Sequence, residues 1–179
     1  MNLIDGIKHA ANGWSGIMVK TNDWPKHFDL TPEGINRAIW VYFSAALLAI
    51  IVVSVRFGLP APAIMMVEVI GHSLPVVATV IVTIIVRAIS AAPAPFAAFF
   101  VPALYLLALV KIVEAITIFI GFPLLGALLG LTAFLFYKLA RGNGLNMAHS
   151  VGYAIIGFLL LAGLPLALYM LVNSFTVPA

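Results

Sequence analysis

The reading turns on Phe96–Ile120, FAAFFVPALYLLALVKIVEAITIFI. Twenty-five residues run with only two charges, Lys111 and Glu114. About 20 mostly apolar residues make a helix long enough to cross a bilayer, so this stretch reads as a membrane span. The whole chain agrees. Of 179 residues 64% are apolar and 8% charged, and the mean hydropathy is +1.17. Soluble domains are nearer 25% charged, which excludes a soluble enzyme. The chain has no Cys, so disulfides, thiolate nucleophiles and Cys-based metal sites are excluded too.

Working outward, four further segments qualify, giving an all-α integral membrane protein of five spans. The first runs from Ala38 to Val55 and ends at Arg56. The second runs from Ala63, after Pro62, to Ser90. The third begins at Phe96 after Pro93 and Pro95, the fourth runs from Pro123 to Ala140, and the fifth from Ser150 to Val172. Proline suits a helix start, where the missing N–H has no partner to lose. A four-span alternative makes 121–140 re-entrant. With five spans Lys8, Lys20, Lys26, Arg37, Arg87, Lys138 and Arg141 share one side, and only Arg56 lies on the other. The positive-inside rule then predicts a multi-pass protein with a cytoplasmic N-terminus and an outer C-terminus.

Residues 1–30 form a separate cytoplasmic segment ahead of the span domain at 31–179. They lack the apolar core of a signal peptide. Ile4, Ile7, Ala11, Trp14 and Met18 recur at spacings of three and four, one face of a helix. Such an amphipathic helix lies in the membrane interface or packs on the span ends. Gly6, Gly13 and Gly16 weaken it as a free-standing helix. Thr31-Pro32-Glu33 reads as N-cap, first turn and acidic start of the helix that becomes span one.

Charge inside the membrane is the main functional signal, because it is costly and usually faces protein or water. Lys111 and Glu114 share a face of span three, extended by Thr117. Glu68 and His72 are one turn apart on span two, and Thr79, Thr83 and Arg87 continue that stripe past Pro75. At about 1.5 Å rise per residue, Lys111 and His72 both lie roughly 13 Å below the outer ends of their spans. Glu114 and Glu68 lie at roughly 9 and 7 Å on the same count. Depth matching predicts a hydrogen bond between the two spans. Three readings fit the cluster of Glu68, His72, Lys111 and Glu114: an ion-pair network that fixes helix register, an outward-facing polar pocket or proton path, and contact with a partner subunit. With His72 neutral, two acids against one lysine leave a proton to share.

Other signals are weaker. Glu68 and His72 alone are too few for a metal site, and no cofactor is expected. Zinc-protease, nucleophile-elbow and phosphate-loop motifs are absent. His149 and Ser150 are adjacent, which excludes an ordinary Ser–His dyad on a helix. Gly126 and Gly130 form a GxxxG packing face in span four, expected to meet a helix of the same chain. Gly152 and Gly157 do so more loosely in span five.

The layout resembles the Yip family, which comprises the Rab-interacting Golgi membrane proteins and their bacterial relatives. The resemblance rests on an N-terminal helix with Trp-containing turns, Asn12-Gly-Trp14 and Asp23-Trp24-Pro25, followed by five short spans. The N-in, C-out topology is part of that layout, and the resemblance supplies no mechanism. The eukaryotic acidic and Pro-rich signature is missing, so Rab-type partnering is not implied. Asp29-Leu-Thr-Pro-Glu-Gly34 before an aromatic span also resembles proteobacterial inner-membrane proteins. The expectation is a non-enzymatic membrane subunit or scaffold that packs with itself or a larger complex in the lipid bilayer, without nucleic acid. The alternative is a small transporter or proton-linked permease using the Glu/His/Lys cluster. A lipid-acting intramembrane enzyme would need a nucleophile or metal set, and none is evident.

Overall fold

The computed structural model describes residues 3–21, 23–90, 94–122 and 124–176. Helix α1 spans Leu3–Val19, α2 Pro32–Phe57, α3 Pro62–Ser90, α4 Phe96–Phe119, α5 Leu125–Gly142 and α6 Met147–Thr176. A single 3-10 turn, Trp24–His27, joins α1 to α2, and no strand occurs among the described residues. Helices α2 to α6 are each long and apolar enough to cross a membrane. The spans are longer than the sequence expectation at several ends: α2 carries Arg56 within its last turn, and α6 begins at Met147. Span four begins at Leu125, and Pro123 lies outside the described residues, as does Pro93.

Local chemistry sets the ends. Thr31 caps α2 by accepting from the Gly34 N–H at 3.2 Å, and Pro32 takes the first position, as the sequence predicts. Gly34 is required because a side chain there would run into the Asp29 carbonyl. Asn146 caps α6 by accepting from the His149 N–H at 2.9 Å. His149 and Ser150 therefore sit in the first turn of α6, and Ser150 is buried there with its hydroxyl bonded to the Asn146 carbonyl.

Helix α4 is the hub. It touches α1, α2, α3 and α5, while α6 closes the far side against α3 and α5. Of its span window 61% is buried, against 11% for α6. The α2–α4 seam is made of small residues, Gly34, Ala38, Ala45, Ala46 and Ala49, with Tyr42 among them. Small side chains let two backbones approach closely where no hydrophobic effect drives helices together. An aromatic knot of Phe99, Phe136 and Tyr153 joins α4, α5 and α6, with ring centroids 5.3 and 5.6 Å apart about Tyr153. Thr83 of α3 meets the Tyr153 hydroxyl at 3.4 Å. The stripe of Thr79 and Thr83 is thus packed inside the bundle.

Three prolines sit inside spans, Pro75, Pro102 and Pro165, and the first two each have a side-chain donor nearby. Pro102 of α4 has no N–H, which leaves the Ala98 carbonyl without its helical partner. The buried Asn143 side chain, just beyond α5, donates to that carbonyl at 3.1 Å and to Leu139 at 3.0 Å. Beside Pro75 of α3, the Tyr42 hydroxyl donates to the His72 carbonyl at 2.7 Å, tying α2 to α3.

The first helix forms despite its glycines because it uses them. Its buried face is Gly6, Ala10, Gly13 and Ile17, against the 3-10 turn, α4 and α5. At Gly13 the Phe28 ring fills the space a Cβ would need. The Trp14 indole donates to the Pro102 carbonyl at 3.1 Å, and Trp24 to the Gly142 carbonyl at 3.4 Å. Of the expected interfacial stripe, Ile7 and Met18 face away from the bundle on a neighbouring face, and the Ile4 side chain lies outside the described residues. Asn12-Gly-Trp14 is mid-helix and does not form a turn. Residues Ala10, Ile17, Trp24 and Phe28 belong to the same core cluster as the spans, so this segment is packed onto the bundle.

Candidate functional site

Helices α2 and α3 follow one another but barely touch, while each leans on α4. Their splay opens a cavity of about 380 Å³ near the α2–α3 loop. Its walls are Ala49, Ile50, Val53, Ser54 and Phe57 of α2, Glu68 and His72 of α3, and Lys111, Glu114, Ala115 and Ile118 of α4. Gly58, Leu59 and Pro60 close the rim. All four residues singled out by depth matching therefore face one space.

Their pairing differs from the expectation. Lys111 donates to Glu114 at 2.9 Å, within α4. His72 Nε2 lies 3.9 Å from the Glu68 carboxylate, within α3, an ion pair only when the imidazole is protonated. No hydrogen bond links the α3 pair to the α4 pair among the described residues. Each pair closes on its own helix because spacings of three and four already bring the groups together. The bond that ties α3 to a neighbouring helix here comes from α2, the Tyr42 hydroxyl donating to the His72 carbonyl.

Burial grades across the site. Lys111, Glu114 and His72 side chains are 19, 20 and 16% exposed, whereas Glu68 is 57% exposed and stands at the mouth. The Thr117 hydroxyl donates to the Glu114 carbonyl at 2.9 Å, as the shared face predicts. Arg56 stays outside. Its guanidinium donates to the Ile118 carbonyl at 2.7 Å, capping the last turn of α4, and lies 5.2 Å over the Phe57 ring. Together the walls hold one lysine, one imidazole and two carboxylates on an apolar ground. Such a surface presents both a cation and carboxylates, the groups needed to meet both ends of a small zwitterion or to exchange a proton. Among the described residues no three His, Cys, Asp or Glu side chains group as metal ligands.

The GxxxG face is the other correction. A Cβ at Gly126 or Gly130 would meet nothing within 4 Å, so no helix of this chain packs there. Gly152 is open in the same way, while Gly157 takes the Phe136 ring. Sequence reasoning missed Asn143, Tyr42 and the two indole donors. A signal for the first exists in retrospect: a proline inside an apolar span demands a donor from elsewhere for the carbonyl it frees.

No protein-family model, curated protein or solved structure matches this chain.

Proposed function

We propose that the chain is a non-enzymatic, multi-pass protein of the bacterial inner membrane, N-terminus cytoplasmic, that takes a small polar solute into the α2–α3–α4 cavity, as a small proton-linked permease would. One observation carries this reading: Glu68, His72, Lys111 and Glu114 all line a single open cavity. A network that only fixes register would bond across the helices, and here each pair closes within its own helix. Intramembrane charges that face a cavity are the usual mark of a solute or proton path. The orientation rests on the charge asymmetry, seven basic side chains at one end against Arg56 at the other.

The test uses the absence of native Cys. Single cysteines at Ser54, His72 and Lys111, in inverted and right-side-out vesicles, should react with a membrane-impermeant thiol reagent from the outer side only. Proteoliposomes should then carry a proton flux that Glu114→Gln removes without loss of fold. Cavity cysteines that stay unreactive from both sides would end this reading.

A subunit role is the second reading, and it also suits the Yip-like layout. The open GxxxG face of Gly126 and Gly130 favours it, since small-residue faces in membranes are where other helices dock. Crosslinking between Gly126→Cys copies, or to a co-purifying membrane protein, tests that role.

A further inference from the structure

A second, larger cavity lies on the opposite flank of the α2–α4 seam. It measures about 530 Å³, within the roughly 300–1,000 Å³ range of small-molecule sites. Its walls are Ile7, Ala11, Trp14 and Met18 of α1, Val41, Ser44, Ala45 and Leu48 of α2, and Tyr105, Leu106, Ala108, Leu109 and Ile112 of α4, with Leu135 of α5. The lining is almost wholly apolar, and apolar cavities do not hold water. In a bilayer the material at hand to fill it is hydrocarbon.

We propose that this groove is a binding site for one acyl chain of an anionic phospholipid. Three observations converge on that occupant. Ile7, Ala11 and Met18, three members of the apolar stripe that the sequence makes most conspicuous, are left uncovered by the bundle, because α1 docks through its Gly6, Ala10, Gly13 and Ile17 face. The stripe therefore serves the groove. At the edge of the groove stand polar groups suited to a headgroup. Lys8 is exposed one residue beyond Ile7, and Arg37 lies one turn before Val41 on α2. A single 3.4 Å contact joins Arg37 to Asp29, and a guanidinium has five donors. Finally, the charge is placed for an anion. The end of the bundle that carries α1 has seven basic against four acidic side chains, and holds the whole net charge of +3. Basic segments at a membrane surface attract anionic headgroups.

The occupant is held by the α1–α2–α4 wedge, so the chain pins α1 against the spans. The site is separate from the polar cavity. The two are on opposite sides of the alanine seam and share no lining residue.

The experiment places the purified full chain in vesicles of phosphatidylglycerol with a photoreactive group on the acyl chain, and maps the crosslinks by mass spectrometry. Leu166 and Met170 of α6 serve as internal controls, since they are as exposed as the groove residues but face open surface. Labelling at Ile7, Met18 and Leu48 should exceed labelling at the controls about tenfold, equivalent to ~1.4 kcal/mol of preference. Ser44→Trp and Ala11→Trp, which fill the groove from two walls, should each abolish the excess and leave α6 labelling unchanged. The same photoreactive chain on phosphatidylcholine should label the groove several-fold less. Uniform labelling over groove and controls means annular lipid only and overturns the site. Equal groove labelling by both lipids overturns the anionic headgroup. Neither result touches the polar cavity, whose own test is aqueous thiol access.

Discussion

Lys111→Met should cost more stability than the double change Lys111→Met, Glu114→Leu. In the native chain the two groups are 2.9 Å apart and about four-fifths covered. Removing the lysine leaves a carboxylate in a space whose walls include Ala49, Ile50, Val53, Phe57, Ala115 and Ile118. Breaking a buried pair costs about 3–5 kcal/mol, whereas replacing both members by apolar groups is often neutral or better. The open cavity rehydrates part of the stranded charge, so about 2–3 kcal/mol is expected for the single variant. For a chain of this length, each kcal/mol moves the midpoint by about 2–4 °C, so the single variant should melt roughly 4–12 °C below the double. Thermal unfolding followed by size-exclusion fluorescence in one detergent reads this directly. The Glu114→Leu single variant completes the cycle and should also fall below the double. Single and double variants that melt within a degree of each other would mean that Lys111 does not depend on Glu114, and the desolvated-pair reasoning fails.

Asn143→Leu should lose about 1–3 kcal/mol, because the Ala98 carbonyl is then buried without a donor. Pro102→Ala restores the helical N–H to that carbonyl, so the Asn143 change should cost less in that background; equal costs would refute the link. At the start of α2, the Thr31 hydroxyl, 2.6 Å from Asp29, holds the Asp29 carboxyl below the usual carboxylate range, and the Thr31 N–H and Arg37 add to this. A lowered carboxyl stabilises the fold above that range and loses the contribution as pH falls through its own lower value. Asp29→Asn should therefore flatten the acid limb of a melting-temperature profile between pH 7 and pH 3, about where such groups titrate; superimposed acid limbs would remove Asp29 from the account. Single cysteines at His9 and Asn12 should react with a water-soluble maleimide, while those at Ala10 and Ile17 stay protected. Uniform reaction along α1 would show that the helix does not dock.

Element existence was readable because bilayer thickness imposes it. A run of about 20 apolar residues has one outcome in lipid, so all five spans follow from hydropathy, and Thr31-Pro32 marks the start of α2 within a residue. The polar cluster was readable for a related reason. Charge is rare in a span, and the helix rise places residues of antiparallel spans at matching depth, which brought Glu68, His72, Lys111 and Glu114 to one cavity. Pairing was less readable, since depth matching does not fix rotation about the helix axis. Which face of α1 docks on the bundle was not readable from periodicity. Periodicity finds the most hydrophobic stripe, but beside a membrane that stripe need not be the packed one. Glycine and alanine give close approach, and Gly6, Ala10 and Gly13 took the contact while Ile7 and Met18 stayed outside. The same reason misplaced Gly126 and Gly130, whose spacing permits a helix contact without requiring one in this chain.

The two cavities have one structural cause. Helices held together by large side chains fill the flanks of their contact, because a Leu or Phe reaches across the seam and sideways. Here, Tyr42 apart, the α2–α4 contact is made by Ala38, Ala45, Ala46 and Ala49, which reach nowhere. Two cylinders touching along a narrow line leave a wedge on each side, and each wedge takes its character from the next face of the same two helices. On one flank those faces are Ser44, Leu48, Tyr105 and Leu109, with α1 as the outer wall. On the other they are Val53, Ser54, Lys111 and Glu114, with α3 as the outer wall. Enlarging the seam should therefore act on both at once. Ala45→Leu or Ala49→Leu would push α2 away from α4 and disturb the apolar groove and the polar cavity together, although no residue lines both. Substitutions confined to one flank, such as Ser44→Trp, should leave thiol access in the opposite cavity unchanged. Coupling between the flanks through the alanine seam is thus separable by mutation from the chemistry of either site.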